Sequence, residues 1–243
     1  MFLREFKIES IADLAVIFHK TLNPLLWDGM SLRPEVQVQL LKIAKNFIEF
    51  INIPHINLQD ITISGSNAAF TYTESSDIDL HLVVDIPFKQ EQYLKSLFDA
   101  KKNQYNFNHD IEIKGIAVEV YVQKSGEKHH SAGIYSVLND TWVSQPKPTQ
   151  VKIDDDDVRN KVVNYASKIK QALNSQNFKK ASAVLERINK LRKAGLEEEG
   201  EFSIENIAFK VLRAKGLINK LREHIYELED RELSLEDLKN GKQ

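Results

Sequence analysis

The stretch "ITISGSNAAFTYTESSDIDLHLVVD", residues 61–85, places two carboxylates in a strand that is otherwise filled with Ile, Leu and Val. Side chains alternate across a strand, so Asp77, Asp79 and His81 share one face while the aliphatic side chains take the other. Carboxylates this close repel each other, and a hard divalent cation such as Mg²⁺ removes the repulsion. The pattern predicts a strand with one face in the core and the other at a metal ion.

The flanking segments predict an α/β core with a mixed sheet. Apolar residues recur at helical spacing in "SLRPEVQVQLLKIAKNFIEFINI", with Pro34 in the first turn, so we expect a helix that ends before Pro54. From residue 56 to about 123, short apolar runs separated by turns predict strands. Helices are expected in "NAAFTY" and "KQEQYLKSLFDAKK", and a hairpin in "EIKGIAVEVYV" about Lys114-Gly115.

A domain boundary is predicted in "SQPKPTQVKIDDDD", residues 144–157, where two prolines and four aspartates break both periodicities. This divides the chain into residues 1–150 and an all-helical domain, residues 151–243. The aspartates are expected to cap the helix that begins near Val158, because negative charge is favoured at a helix N-terminus. The alternate-residue ligands and the glycine of an EF-hand calcium loop are absent.

Three apolar stripes predict three helices in the second domain. The last begins at Ser203, a good N-cap, and continues as a heptad-like seam, with Gly216 off the seam. The seam consists of Ile207, Val211, Ala214, Ile218, Leu221, Ile225 and Leu228. Two interpretations stay open: the three helices form a bundle, or the last seam makes a homodimer.

Composition excludes several classes of function. The chain of 243 residues has no cysteine, which excludes disulfides, thiolate metal sites and cysteine nucleophiles. No apolar run approaches the roughly 18 residues that cross a bilayer, and the opening "MFLREFKIESIADL" does not fit a signal peptide, so a cytoplasmic protein is expected. Residues 158–194 carry ten Lys or Arg against one acid, which fits either an anionic partner such as RNA or a solvated helix face.

Two further features complete a candidate site. Glu119 lies between two valines in "VEVYV" and is expected to be the third acid; Asp110 and Glu112 rank below it because their strand context is weaker. The "SGS" turn, residues 64–66, could approach phosphate oxygens, with Gly65 giving access and Ser66 offering its hydroxyl. The G-x-x-x-x-G-K-[ST] loop of P-loop NTPases is absent.

Several other polar and aromatic residues near the motif are not expected to bind metal. His81 is expected to be a packed or hydrogen-bonded neighbour of the acids, and Asp85 to end its strand. His129 and His130 fit a solvated turn, since no other histidine is spaced to complete a metal site with them. For two aromatic residues, stacking on a base and burial against the helical region stay open: Tyr135 and Trp142.

The order of Gly65-Ser66, ten residues, Asp-Ile-Asp-Leu on an apolar strand and an acid on a later strand resembles the active-site signature of the polymerase-β-type nucleotidyltransferase superfamily. That group includes CCA-adding enzymes, poly(A) polymerases and aminoglycoside nucleotidyltransferases. More loosely the chain, from "LLWDGMSLRPEV" through "SDIDLHLVVD" to "GEFSIENIAFKVLR", is similar to the predicted nucleotidyltransferases of tailed bacteriophages.

The resemblance implies a set of roles. Gly65 and Ser66 would hold the triphosphate of an NTP substrate such as ATP. Three acids would bind two Mg²⁺ or Mn²⁺ ions: Asp77, Asp79 and Glu119, the last also being the candidate base, although the family usually has aspartate there. The implied reaction moves a nucleoside monophosphate to a hydroxyl acceptor and releases pyrophosphate, with RNA slightly favoured as acceptor. A catalytically silent binding module and an interaction protein with incidental acids are the alternatives.

Overall fold

The computed structural model divides the chain into two compact units, which are described separately: Val16–Gln150 and the chain from Val151 onward. It describes residues 16–53, 56–86, 91–127, 131–148 and 151–234.

The first unit holds eight strands and two long helices in its described residues. The strands are β1 Trp27–Asp28, β2 Ser31–Leu32, β3 Asn57–Ser64, β4 Ile78–Asp85, β5 Glu112–Ile113, β6 Ile116–Lys124, β7 Ile134–Ser136 and β8 Thr141–Ser144. The helices are α1 Pro34–Ile51 and α2 Glu91–Asn108. The predicted helices "SLRPEV…" and "KQEQYL…" are therefore present, and α2 extends six residues beyond the segment predicted for it.

Six of the strands form one mixed sheet in the order β5-β6-β4-β3-β7-β8. Strands β4 and β6 are parallel, and every other neighbouring pair is antiparallel. A parallel pair needs a crossover connection, and α2 lies in the connection between β4 and β6. The predicted mixed sheet flanked by helices is confirmed.

The sheet has one apolar face, covered by α1 and α2. Strand β4 alternates buried and half-buried residues, and Ile78, Leu80 and Leu82 lie in the same core cluster as Leu40 and Phe47 of α1. Burial of these side chains is the main favourable term for the fold. Because side chains alternate, the polar residues of β4 necessarily lie on the opposite face.

The predicted hairpin is present as β5 and β6. Its turn residues, Lys114 and Gly115, both have positive φ, 52° and 78°. A two-residue turn with two positive φ angles matches the twist of the paired strands, which explains a glycine at this position.

In residues 151–234, the second unit contains four α-helices rather than the three expected: α3 Asp155–Leu173, α4 Phe178–Glu198, α5 Ile204–Ala214 and α6 Leu217–Leu233. The prediction of one continuous last helix was wrong. Gly216 has a φ of 71° and ends α5 as a left-handed cap, and Ala214 of the predicted seam is exposed. The other expected caps are present, since Asp154 accepts from the backbone N–H groups of Asp156 and Asp157, and Ser203 accepts from that of Asn206.

The remaining seam residues are buried within this unit, among them Ile207, Val211, Ile218 and Leu221. The bundle interpretation is therefore confirmed. Within the described residues, the bundle covers the side chains that were offered for a homodimer through the C-terminal seam. None of the helices in the described part of the chain is both long and apolar enough to cross a membrane.

Candidate metal centre

The register of the sheet brings the predicted acids together. Asp79 of β4 pairs with Glu119 of the parallel strand β6 and with Ser64 of the antiparallel strand β3. Asp77 directly precedes β4, two positions before Asp79. One ligand oxygen from each of Asp77, Asp79 and Glu119 lies within 4.8 Å of the other two, and all three residues are half-buried.

This donor set fits a hard divalent cation. Mg²⁺ prefers carboxylate oxygens and keeps positions open for water or for substrate oxygens, and three converging carboxylates supply the negative charge that it neutralises. Thiolate ligation is excluded, because the chain contains no cysteine. The acidic cluster, meaning Asp77, Asp79 and Glu119, can therefore hold Mg²⁺ or Mn²⁺.

A second row of side chains lies beside the acidic cluster. Register pairs place Thr62, His81 and Tyr121 in line across β3, β4 and β6. The ring of His81 stacks on that of Tyr121 at 5.1 Å, and its Nε2 lies 3.1 Å from Ser64 Oγ. His81 is thus hydrogen-bonded and packed beside the acids.

Tyr121 positions one of the acids directly. Its hydroxyl donates a hydrogen bond to Glu119 Oε2. Burial raises the pKa of Tyr121 far above its ordinary value, and the negative charges of Asp79, Glu119 and Asp77 raise it further. The hydroxyl is therefore protonated at neutral pH and can donate to Glu119.

Gly65 makes room for Asp79. Its φ is 76° and its ψ is −163°, a conformation that is almost restricted to glycine. A Cβ at this position would lie 2.1 Å from Asp79 Oδ2. The backbone N–H of Gly65 donates to Ser131 Oγ at 2.8 Å. The glycine is thus needed for the position of a carboxylate, and its predicted contact with phosphate stays a prediction.

The expected "NAAFTY" helix was wrong, because only a 3₁₀ turn, Ser66–Ala68, follows Gly65. Ser66 Oγ donates to Ser76 Oγ at 2.8 Å, which ties this turn to the residues before Asp77. No helix dipole is therefore available at the turn, and the hydroxyl proton of Ser66 is already shared with Ser76.

Asn67 holds the backbone of the first acid. Its Nδ2 donates to the carbonyl oxygen of Asp77 at 2.8 Å and to that of Ser76 at 3.2 Å. Its Oδ1 accepts from Asn23 Nδ2 at 2.9 Å. Because Asn67 is only 2% exposed, these bonds are shielded from water and fix the loop that carries Asp77.

Several other predicted residues lie outside the cluster. Asp110 and Glu112 are exposed and do not join it, and Asp85 is the exposed last residue of β4, as expected. His129 and His130 lie outside the described residues. The rings of Tyr135 and Trp142 both pack on a third ring of the same unit, Trp27, with centroids 5.0 and 4.8 Å away.

The sequence analysis did not predict the roles of three residues that support the acidic cluster. Tyr121 carried a usable signal, because strand alternation from Glu119 puts it on the same face. Ser64 was noticed only as part of the "SGS" turn, and its alignment with Asp79 depends on the register. Asn67 carried no signal, since its partner Asn23 lies 44 positions away in the chain.

No protein-family model matches the chain, and no curated protein matches it. Among solved structures, it is similar to a STING-associated CdnE c-di-GMP synthase from Capnocytophaga granulosa, with 13% identity, 83% of this chain and 84% of that chain covered, and a TM-score of 0.24. A TM-score this low supports no inference, so the proposal below rests on the residues of this chain.

Proposed function

We propose that the protein is a metal-dependent nucleotidyltransferase that moves a nucleoside monophosphate from an NTP to a hydroxyl acceptor and releases pyrophosphate. One observation supports this most strongly. The three acids that the sequence motif singles out come from the parallel strands β4 and β6 and from the residue just before β4, and they converge to within 4.8 Å. The resemblance of the Gly65-Ser66 and Asp-Ile-Asp-Leu motifs to the polymerase-β-type superfamily adds the reaction class.

The acids would hold two Mg²⁺ or Mn²⁺ ions through Asp77, Asp79 and Glu119. Bound ions supply electrostatic stabilisation to the acceptor oxygen and to the departing pyrophosphate. Tyr121 holds Oε2 of Glu119, which leaves Oε1 for an ion or for the proton of the acceptor hydroxyl. Gly65 lets the Asp79 carboxylate approach the turn, and Asn67 fixes the loop before it.

These contacts preorganise the site before substrate binds. Strand register and buried hydrogen bonds fix these side chains, so they need little rearrangement during the reaction. Such preorganisation of charged groups supplies much of the rate enhancement of enzymes. The same rigidity makes the acidic cluster poorly suited to a passive role. Three carboxylates held together without a cation cost stability, and a protein with no use for them gains nothing from that cost.

Pyrophosphate release tests this function. The full chain is incubated with Mg²⁺ or Mn²⁺ and each of the four NTPs, ATP included, with and without RNA. We expect release with at least one nucleotide, lost in Asp77→Asn and Asp79→Asn and kept in Asp85→Asn, an exposed acid of the same strand. No release under any condition, or equal release by the Asp77 and Asp79 variants, would refute the proposal in favour of a silent binding module.

For the acceptor we propose RNA, on the basis of the basic residues in 158–194. Part of this charge is already used, because Lys161 pairs with Glu205 at 2.6 Å and Arg159 pairs with Asp155 at 3.1 Å. Lys179 and Lys180 at the start of α4 are exposed. Both are therefore open to phosphates from solution, and their side chains form no ion pair among the described residues.

Salt dependence tests the acceptor separately. Binding of single-stranded RNA should weaken by roughly the 0.7 power of salt concentration for each phosphate neutralised. The double variant Lys179→Glu/Lys180→Glu should weaken RNA binding, whereas Lys220→Glu, an exposed lysine of α6, should not. Equal binding by parent and double variant would reject RNA and leave a small molecule or protein as acceptor.

A further inference from the structure

The helical unit contains a cavity that has no part in the proposed reaction. It lies between α3 and α4, has a volume of about 210 Å³, and is lined on the α4 side by aliphatic side chains that include Val184 and Ile188. Three polar side chains also line it: Tyr165 and Lys168 from α3, and Arg187 from α4. An apolar wall with a few polar groups is the usual composition of a small-molecule site.

Tyr165 supplies the first sign of a missing ligand. The residue is only 2% exposed, and its buried hydroxyl has no hydrogen-bond partner in the part of the chain that the structure describes. Native proteins rarely leave a buried hydroxyl unsatisfied, because burial without a partner costs free energy. Burial also raises the pKa of Tyr165, so the hydroxyl is a donor that an acceptor atom in the cavity would satisfy.

The two cations supply the second sign. Three basic residues of the same stretch form ion pairs: Arg159 with Asp155, Lys161 with Glu205 and Lys193 with Glu197. Among the described residues, neither Lys168 nor Arg187 forms an ion pair, and no acid lines the cavity. Two cations and one buried hydroxyl therefore line a space that has no acid in its lining, and the nearby Glu205 is already paired with Lys161.

We propose that this cavity binds a phosphomonoester that carries a small apolar or aromatic group. Arg187 and Lys168 match a doubly charged phosphate better than a singly charged carboxylate, since guanidinium and ammonium groups form strong charge-assisted hydrogen bonds with phosphate oxygens. Tyr165 donates to a remaining oxygen. The apolar group contacts the aliphatic wall of α4.

Size limits the ligand further. Pockets for drug-sized molecules usually exceed about 300 Å³, whereas this cavity has about 210 Å³. A phosphate with a single ring, such as phenyl phosphate, is therefore an appropriate test ligand. The inference does not depend on the acidic cluster, which belongs to the first unit.

Calorimetric titration of the full chain with phenyl phosphate in the presence of EDTA tests this site without metal at the acids. We expect a Kd below about 1 mM, weakened about tenfold by Arg187→Gln and several-fold by Tyr165→Phe. Lys190→Gln, an exposed residue of α4 outside the cavity, is the matched control and should bind like the parent. Asp79→Asn should also bind like the parent.

Thermal unfolding separates lost binding from lost structure. Tyr165→Phe removes an unsatisfied buried hydroxyl, so its Tm without ligand should equal or exceed that of the parent. The inference is overturned if the parent does not bind phenyl phosphate, or if Arg187→Gln and Tyr165→Phe bind it as tightly as the parent. Benzoate binding as tightly as phenyl phosphate would overturn the assignment to phosphomonoesters.

Discussion

The sheet of the first unit and the helices of the second both carry many charged residues, and they arrange them in opposite ways. In the sheet, alternation and register collect three acids at one point within 4.8 Å. In the helices, the charges spread over the outside while the apolar stripes fill the bundle, and several form ordinary ion pairs. Like charges held close together lower stability, so a cluster of them indicates a functional role. Charges dispersed over a surface are solvated by water and need no such role.

The largest effect should follow from Asp79→Asn, which removes the central member of the acidic cluster. We expect turnover to fall by about 10³-fold or more, because several kcal/mol of transition-state stabilisation depend on bound metal. Without metal, the free energy of unfolding should stay the same or rise slightly, because the substitution removes one of three mutually repelling charges. Rates of pyrophosphate release and chemical denaturation measure the two quantities. Turnover at the parent rate in Asp79→Asn would show that the acidic cluster of the first unit is not needed for the reaction.

A smaller effect is expected from Gly65→Ala. The new Cβ would overlap Asp79 Oδ2, so the carboxylate must turn away and metal affinity should fall by about 100-fold. Gly126→Ala is the matched control, since Gly126 has a φ of 77° but no atom within 4 Å of an added Cβ. The control should lose about 1 kcal/mol of stability and no metal affinity. Equal affinity losses in both variants would mean that the close approach to Asp79 is unimportant.

Tyr121→Phe should have a more modest effect, since it removes a residue that acts through Glu119. Loss of a partner to a metal ligand commonly costs about 10-fold in affinity or activity. We therefore expect weaker metal binding and slower turnover, with no change in the exposed control Tyr93→Phe. Parallel metal titrations of the three proteins measure this, and an unchanged Tyr121→Phe variant would show that strand register alone positions Glu119.

In both units, local sequence patterns predicted which face of an element is apolar, but not the features that depend on tertiary structure or on a single cap. Alternation along β4 predicted the face shared by Asp77 and Asp79, and the apolar neighbours of Glu119 selected it over Asp110 and Glu112. The pairing of Asp79 with Glu119 comes from tertiary register, which no local pattern contains. In the helical unit, periodicity predicted the apolar stripes correctly but also predicted one continuous helix through Gly216. A glycine in the left-handed conformation ends a helix even where the apolar periodicity continues beyond it.

The smallest effect should be a pH-dependent stabilisation of the helical unit by Glu201→Gln. Burial raises the pKa of Glu201, opposed by the charge of Lys210, and its Oε1 has no hydrogen-bond partner among the described residues. Below the unfolded pKa both states are protonated and there is no penalty. As pH rises above that value the unfolded state ionises first and the native protein loses relative stability.

The variant should therefore have a Tm a few degrees above that of the parent at pH 7, with the difference vanishing near pH 4. Glu199→Gln, an exposed neighbour, serves as control and should leave the Tm unchanged at both pH values. A Tm difference that is independent of pH would show that packing of the amide, and not relief of a buried charge, is responsible.

Binding of Mn²⁺ to the full chain tests the central claim most directly, because that claim is that sheet register builds a divalent-cation site. Free Mn²⁺ can be followed by its electron paramagnetic resonance signal in titrations of the parent, Asp77→Asn, Asp79→Asn, Glu119→Gln and the control Asp85→Asn. We predict saturable binding by the parent and by the control, competition by Mg²⁺, and a large loss of affinity in each of the three cluster variants. Absence of saturable binding by the parent, or equal binding by all five proteins, would contradict the account.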